Sequence, residues 1–101
     1  TPKAFNDIPG SDRSKYNLVD VREPFEHDIS DIGGIKIPID QLEKRLSELP
    51  KENTLVLYCR SGKRSANAQQ ILHDKGFKNT LNLIGGINRW ASEVDPSIKT
   101  Y

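Results

Sequence analysis

Leu55-Val56-Leu57-Tyr58-Cys59-Arg60-Ser61-Gly62-Lys63-Arg64-Ser65 is the stretch on which the fold turns. Its first four residues form an apolar run, as in a strand covered on both faces. From Ser65 to about Lys75 the spacing predicts a helix, with Ala66, Ala68, Ile71 and Leu72 to bury. Strand, tight loop and helix start, in that order, gather backbone N–H groups around one point. The single cysteine of the chain stands at that point, beside Arg60, Lys63 and Arg64. Nearby cations and a helix start favour thiolate over thiol. Cys59 therefore reads as a reactive, anion-attracting site and not as the small buried apolar residue that a lone cysteine usually is.

Upstream, Asn17-Leu18-Val19-Asp20-Val21 has the short, apolar pattern of a second buried strand, ended by Arg22-Glu23-Pro24. Pro24 opens a short helical turn with Phe25 and Ile29 on one face. Gly33-Gly34 breaks the chain, and Ile35-Lys36-Ile37-Pro38 predicts a short strand, placed at an edge by Pro38. Asp40 as N-cap, Glu43 three residues later and a stripe of Leu42, Leu46 and Leu49 predict a helix stopped by Pro50. At the start, Thr1 as N-cap and Pro2 predict a helix over residues 3–7 with Ala4 and Phe5 inward, followed by a turn-rich connector at Ile8-Pro9-Gly10-Ser11-Asp12.

Downstream of the cysteine, Gly76 is placed as a helix-ending residue with Phe77 as its apolar contact. Residues 79–84 predict a strand, Gly85-Gly86 a tight turn facing the site, and residues 87–94 a helix with Trp90 in the core. Asp95-Pro96-Ser97 ends the regular structure, and the rest to Tyr101 reads as a tail. Strands alternating with helices over short connections predict an α/β fold: a mostly parallel central sheet of four to five strands with helices on both faces. Sites in such sheets lie at the carboxyl ends of strands, where Cys59, Arg22 and Gly85-Gly86 fall.

Composition narrows the function classes. The 101 residues suffice for one domain, residues 1–101, and not for two. A net charge of +1 without a basic block argues against nucleic acid. No apolar run approaches the ~20 residues of a membrane helix. The chain begins with Thr and shows no signal-peptide core, so it is expected to be a processed product or a piece of a longer protein. One cysteine allows no internal disulfide and fits a reducing, cytoplasmic setting. His27 and His73 read as exposed polar residues, and no metal or organic cofactor is expected.

The chemistry follows from the loop. If residues 59–65 curl, the N–H groups of Arg60, Ser61, Gly62, Lys63, Arg64 and Ser65 point at the sulfur, helped by the freedom of Gly62 to take positive φ. These six residues are the candidate substrate-binding set, and Cys59 is the candidate nucleophile. Arg60 and Arg64 could fork an oxyanion, with Lys63 as a further point charge. Two chemistries use such a cysteine: phosphate-ester hydrolysis and carriage of sulfane sulfur as a persulfide. Cysteine-dependent phosphatases share a Cys-x-x-x-x-x-Arg loop. Here Arg64 is the fifth residue after Cys59 and Ser65 the sixth, so the ring is one residue short and suits a sulfur atom better than a phosphate.

On these residues the chain resembles a single-domain rhodanese, a sulfurtransferase domain. The likeness runs from about residue 15 to 95, through Leu18-Val19-Asp20-Val21-Arg22-Glu23-Pro24-Phe25-Glu26, Ile37-Pro38, the loop from Cys59 to Arg64, and Asn82-Leu83-Ile84-Gly85-Gly86-Ile87 followed by Trp90. The resemblance implies that Cys59 accepts sulfur from a donor such as thiosulfate or a persulfide and passes it to a thiophilic acceptor. It also implies that Asp20 and Arg22 organise the sheet end. Trp90-Ala91-Ser92-Glu93-Val94-Asp95-Pro96-Ser97 is similar to the end of rhodanese domains fused to enzymes that adenylylate sulfur-carrier proteins for molybdopterin or thiamin synthesis. That similarity implies a small sulfur-carrier protein and a fused activating domain as partners. Asp31-Ile32-Gly33-Gly34-Ile35 is one residue shorter than the usual family segment, which bears on the rim of the site. Two other readings stand beside this one: a non-catalytic, protein-binding module of the same fold, and a phosphatase or arsenate reductase.

Overall fold

The computed structural model describes residues 2–8, 12 and 14–101. The expected N-cap Thr1 and the Pro9-Gly10-Ser11 part of the connector lie outside the described residues. Four strands, β1 (Tyr16–Asp20), β2 (Ile35–Lys36), β3 (Thr54–Tyr58) and β4 (Thr80–Asn82), form one sheet in the order β2-β1-β3-β4. Every pairing is parallel. Among the described residues the α-helices are α1 (Pro2–Asn6), α2 (Pro24–Ile29), α3 (Lys63–Asp74) and α4 (Gly86–Glu93). The α/β class with a parallel sheet matches the sequence reading. Among the described residues no helix is long and apolar enough to cross a membrane.

Period-2 alternation in β3 sorts its side chains between two cores. Leu55, Leu57 and Cys59 face Ala68 and Leu72 of α3, with Val19, Val21, Leu42 and Leu49 in the same cluster. Val56 and Tyr58 face the other way, with Phe5 of α1 and Ile87 and Trp90 of α4. Burying both faces is what makes the strand an unbroken apolar run. Burying a large apolar side chain contributes ~1.5–3 kcal/mol, and four residues of this strand are fully buried.

Several boundaries differ from the sequence reading. The stretch with Leu42, Leu46 and Leu49 is not an α-helix but two 3₁₀ segments, Ile39–Lys44 and Leu46–Glu48. Pro38, not Asp40, occupies the N-cap, and no side chain caps it. A 3₁₀ turn rises ~2.0 Å per residue against 1.5 Å in an α-helix. The segment between Pro38 and Pro50 thus reaches further toward β3 while still burying Leu42 and Leu49. Helix α3 begins at Lys63, two residues early, with Gly62 as its N-cap. Its Ala66 is exposed, and Ser65 is buried instead. Gly76 takes φ +91, and the Gly76 and Phe77 N–H groups bond His73 and Leu72 carbonyls at 3.1 and 2.9 Å, closing the helix as the sequence reading has it. In α1 only Phe5 of the expected pair turns inward; Ala4 is exposed. In α2 Phe25 stands 64% exposed, because the buried side of that short helix is taken by Glu26.

Topology places the site. The chain leaves β1 toward β2 on one side, and leaves β3 toward β4 on the other. The order reverses between β1 and β3, so their carboxyl ends open a crevice where no connection crosses. Asp20 ends β1 and Tyr58 ends β3, paired in register.

Candidate functional site

Cys59 follows β3 directly and is 1% exposed. Helix α4 fixes its backbone: the Ile87 N–H donates to the Cys59 carbonyl at 2.9 Å and the Asn88 N–H to that of Arg60 at 3.2 Å. Gly86 makes this approach possible, since a Cβ there would overlap both carbonyl oxygens. Gly62 then turns the chain at φ +103 and donates its N–H to Cys59 Sγ at 3.1 Å. Ser61 sits exposed at the tip. The first helical hydrogen bond of α3 runs from Ala66 N–H to the Gly62 carbonyl, so the amides ahead of it are left for the sulfur.

Two side chains complete the ring. The Ser65 hydroxyl lies 3.5 Å from Sγ and 2.5 Å from Asn82 Oδ1, and its one hydrogen can turn to either. Asn82 Nδ2 donates to the Gly62 carbonyl at 3.1 Å, so one residue at the end of β4 braces both sides of the loop. Burial pushes the Cys59 thiol up, but the Ser65 hydroxyl and the backbone N–H groups of Ser65, Gly62 and Ser61 outweigh it and hold the thiol below its ordinary range. The largest contributions to that acidity come from dipoles of the ring. Of the three cations in the sequence reading, Arg64 shares a coulombic interaction with Cys59. Lys63 is exposed on the first turn of α3. Arg64 forks onto Glu26 at 2.7 and 2.9 Å. Arg60 lies 5.0 Å over the Tyr101 ring.

The neighbouring strand end carries the Asp20–Arg22 pair, with both side chains 0% exposed. Arg22 Nε and Nη2 reach the two Asp20 oxygens at 2.9 and 2.8 Å. The remaining guanidinium hydrogens go to the Glu26 carbonyl, the Ser30 carbonyl at 2.8 Å and the Tyr101 hydroxyl at 3.0 Å. Arg22 thereby ties α2 to the end of β1. The Tyr58 hydroxyl lies 2.8 Å from the Gly33 carbonyl and 3.1 Å from Asp20 Oδ2, which attaches the segment 31–35 to β3.

Four residues at this edge escape the sequence reading. Glu26, 5% exposed, holds Arg64. Its carboxyl is pushed up by burial, but the Arg64 and Tyr101 hydrogen bonds prevail and keep it below the ordinary range. Asn82 was legible only as a polar residue closing an apolar strand. Tyr101 is no tail: its backbone pairs with the Asn88 side chain, and its hydroxyl donates to Glu26 at 2.6 Å. His27 is not exposed. Its side chain is 16% accessible and Nε2 lies 3.3 Å from Asp20 Oδ2, because α2 turns it under the strand end. His73 is exposed as expected and pairs with the Thr80 hydroxyl.

Comparison with known proteins bears on this geometry. Residues 1–93 match the rhodanese-like domain family. The whole chain is 39% identical over 104 residues to the "probable adenylyltransferase/sulfurtransferase MoeZ" of Mycobacterium tuberculosis, of which it spans 26%. It is 40% identical over 89 residues to a protein of Allochromatium vinosum named "sulfurtransferase", covering 87% of this chain and 83% of that protein. Among solved structures, a rhodanese-related protein of Thermoplasma volcanium superposes with a TM-score of 0.77 at 33% identity, over 89% of each chain.

Proposed function

The chain belongs to the rhodanese-like domain family, and from that premise we propose that it is a sulfurtransferase with Cys59 as the sulfur-carrying nucleophile. The observation that carries the proposal is the ring itself: a buried Sγ receiving the Gly62 N–H at 3.1 Å, with the thiol held acidic by amides and the Ser65 hydroxyl. Such a ring stabilises the Cys59 thiolate first and the terminal anion of a persulfide next. By shifting Cys59 toward the thiolate, the ring lessens the need for a separate base.

Two balanced steps follow. The Cys59 thiolate attacks the outer sulfur of a donor such as thiosulfate; the new S–S bond forms, the donor's S–S bond breaks, and sulfite leaves with the electron pair. Cys59 is then a persulfide anion. A thiophilic acceptor, cyanide in the simplest assay, attacks the outer sulfur and leaves as thiocyanate, which restores the thiolate. No second cysteine is present to resolve the persulfide, so the acceptor is another molecule or domain. A reducing cytoplasm suits such a thiolate.

The relatives named as adenylyltransferase and sulfurtransferase support an activating domain acting alongside this one, and a relative named a putative sulfur carrier protein supports a sulfur-carrier context for the acceptor. The chain spans about a quarter of the first of those relatives, so that activity is proposed for the fuller protein and the persulfide step for this domain. Intact-mass analysis after incubation with thiosulfate tests the reading. The expected result is a gain of one sulfur atom that cyanide removes and that Cys59→Ser lacks. Absence of any adduct, with tight binding of a partner protein, would favour a binding module. Faster hydrolysis of p-nitrophenyl phosphate than sulfur transfer would favour a phosphatase.

A further inference from the structure

The last residue of the chain lies at the rim of the candidate site. Residues 95–101 are tied down in sequence. Asp95 Oδ1 accepts the Ser97 N–H and hydroxyl, Ile98 packs against the Trp90 cluster, and Tyr101 exchanges two hydrogen bonds with the Asn88 side chain. Asn88 is also the residue whose N–H holds the Arg60 carbonyl. Anchored in this way, the Tyr101 side chain makes two kinds of contact. Its ring lies 5.0 Å beneath the Arg60 guanidinium, within cation–π range. Its hydroxyl accepts from Arg22 Nη1 at 3.0 Å and donates to Glu26 Oε2 at 2.6 Å. Glu26 in turn forks onto Arg64.

We propose that Tyr101 is a positioning residue of this site: its ring seats Arg60 and its hydroxyl braces Glu26 against Arg64, so that both arginines of the Cys59 loop meet an anionic sulfur donor in a fixed orientation. The proposal rests on the reading of Cys59 as acceptor of sulfur from such a donor. An arginine that must be ordered on arrival of the donor spends side-chain entropy that a seated one has already lost. Seating thus acts on anionic reagents and leaves the intrinsic nucleophilicity of the sulfur alone.

Paired alkylation tests this without relying on sulfur transfer. Iodoacetate and iodoacetamide both capture the Cys59 thiolate, one as an anion and one as a neutral molecule, so the ratio of their rates isolates the cationic rim from the acidity of the thiol. At low salt, Tyr101→Leu is expected to lower the iodoacetate-to-iodoacetamide ratio about threefold, the scale of a cation–π seat lost, with the iodoacetamide rate unchanged. Tyr101→Phe, which keeps the ring, is expected to retain most of the ratio. In an Arg60→Gln, Arg64→Gln background Tyr101→Leu is expected to change nothing further. An unchanged ratio in Tyr101→Leu overturns the proposal. So does a fall that persists in the doubly substituted background, or an equal fall in both rates, which marks general damage to the loop. Should thiosulfate leave no persulfide while the ratio responds as described, the sulfurtransferase reading fails and the role of Tyr101 toward anions stands.

Discussion

At the end of β1, Asp20 and Arg22 bury full opposite charges against each other; one strand over, at the end of β3, Cys59 is buried among N–H dipoles and a hydroxyl. The first arrangement satisfies itself. Burial acts against the Arg22 charge, but Asp20 and Tyr101 hold the guanidinium firmly protonated. The second leaves a surplus of positive dipole aimed at one atom. Fixed dipoles cannot be titrated away and require no reorganisation when an anion forms. At this sheet edge the buried ion pair builds the frame, and the neutral groups of the ring contribute most to the acidity of the sulfur.

The contrast can be broken. Its largest test is Cys59→Ser, expected to abolish persulfide formation in intact-mass analysis while unfolding free energy in urea stays within about 1 kcal/mol of the parent. Arg22→Met is expected to do the reverse. It strands the Asp20 carboxylate in the core and costs about 3–5 kcal/mol in urea denaturation, part of which Asp20→Asn in the same chain restores. If Arg22→Met in the folded protein also raises the Cys59 inflection as far as a change within the ring does, the division of labour collapses. Gly86→Ala probes the seam between the regions. Its Cβ meets the Cys59 and Arg60 carbonyls, so a loss of about 2–3 kcal/mol is expected together with slower alkylation of Cys59.

Smaller effects sharpen the picture. The pH profile of iodoacetamide capture is expected to inflect below the ~8.5 of a free thiol, because the folded thiol is held low. Ser65→Ala removes the hydroxyl beside the sulfur, so the inflection is expected to rise toward that value, with stability down by only about 1–2 kcal/mol. Glu26 gives the smallest signal. Its folded pKa lies below the ordinary carboxylate value of ~4.3, so its contribution to stability is complete above that value and disappears as pH falls through the folded one. The gap in melting temperature between parent and Glu26→Gln is therefore expected to be constant near neutrality and to close in acid.

The frame and the ring were unequally legible in sequence. The strand from Leu55 to Tyr58, the loop and the edge position of Ile35-Lys36 follow from local patterns, since burial on both faces and a Pro at an edge leave marks within a few residues. The 3₁₀ segments did not, because Leu42, Leu46 and Leu49 fit an α-helical stripe equally well and the span to β3 decides between the two. Glu26, Asn82 and Tyr101 left still less trace. Arg22 and Tyr101 are 79 residues apart, and nothing near either announces the other. The cations were read from proximity in sequence, but pairing decides what a charge does, and Arg64 found a carboxylate.

The size of the ring is also set from outside it. The Cys59 and Arg60 carbonyls are pinned to the Ile87 and Asn88 amides, and the Gly62 carbonyl to Asn82. A residue inserted between Cys59 and Arg64 without detaching one of those pins would have to bulge at the exposed tip, at Ser61. Helix α4 and the end of β4 thus act as a gauge on the loop. Widening its base would require the turn at Gly85-Gly86 to be recut in the same step, so the width of the ring depends on two distant segments together.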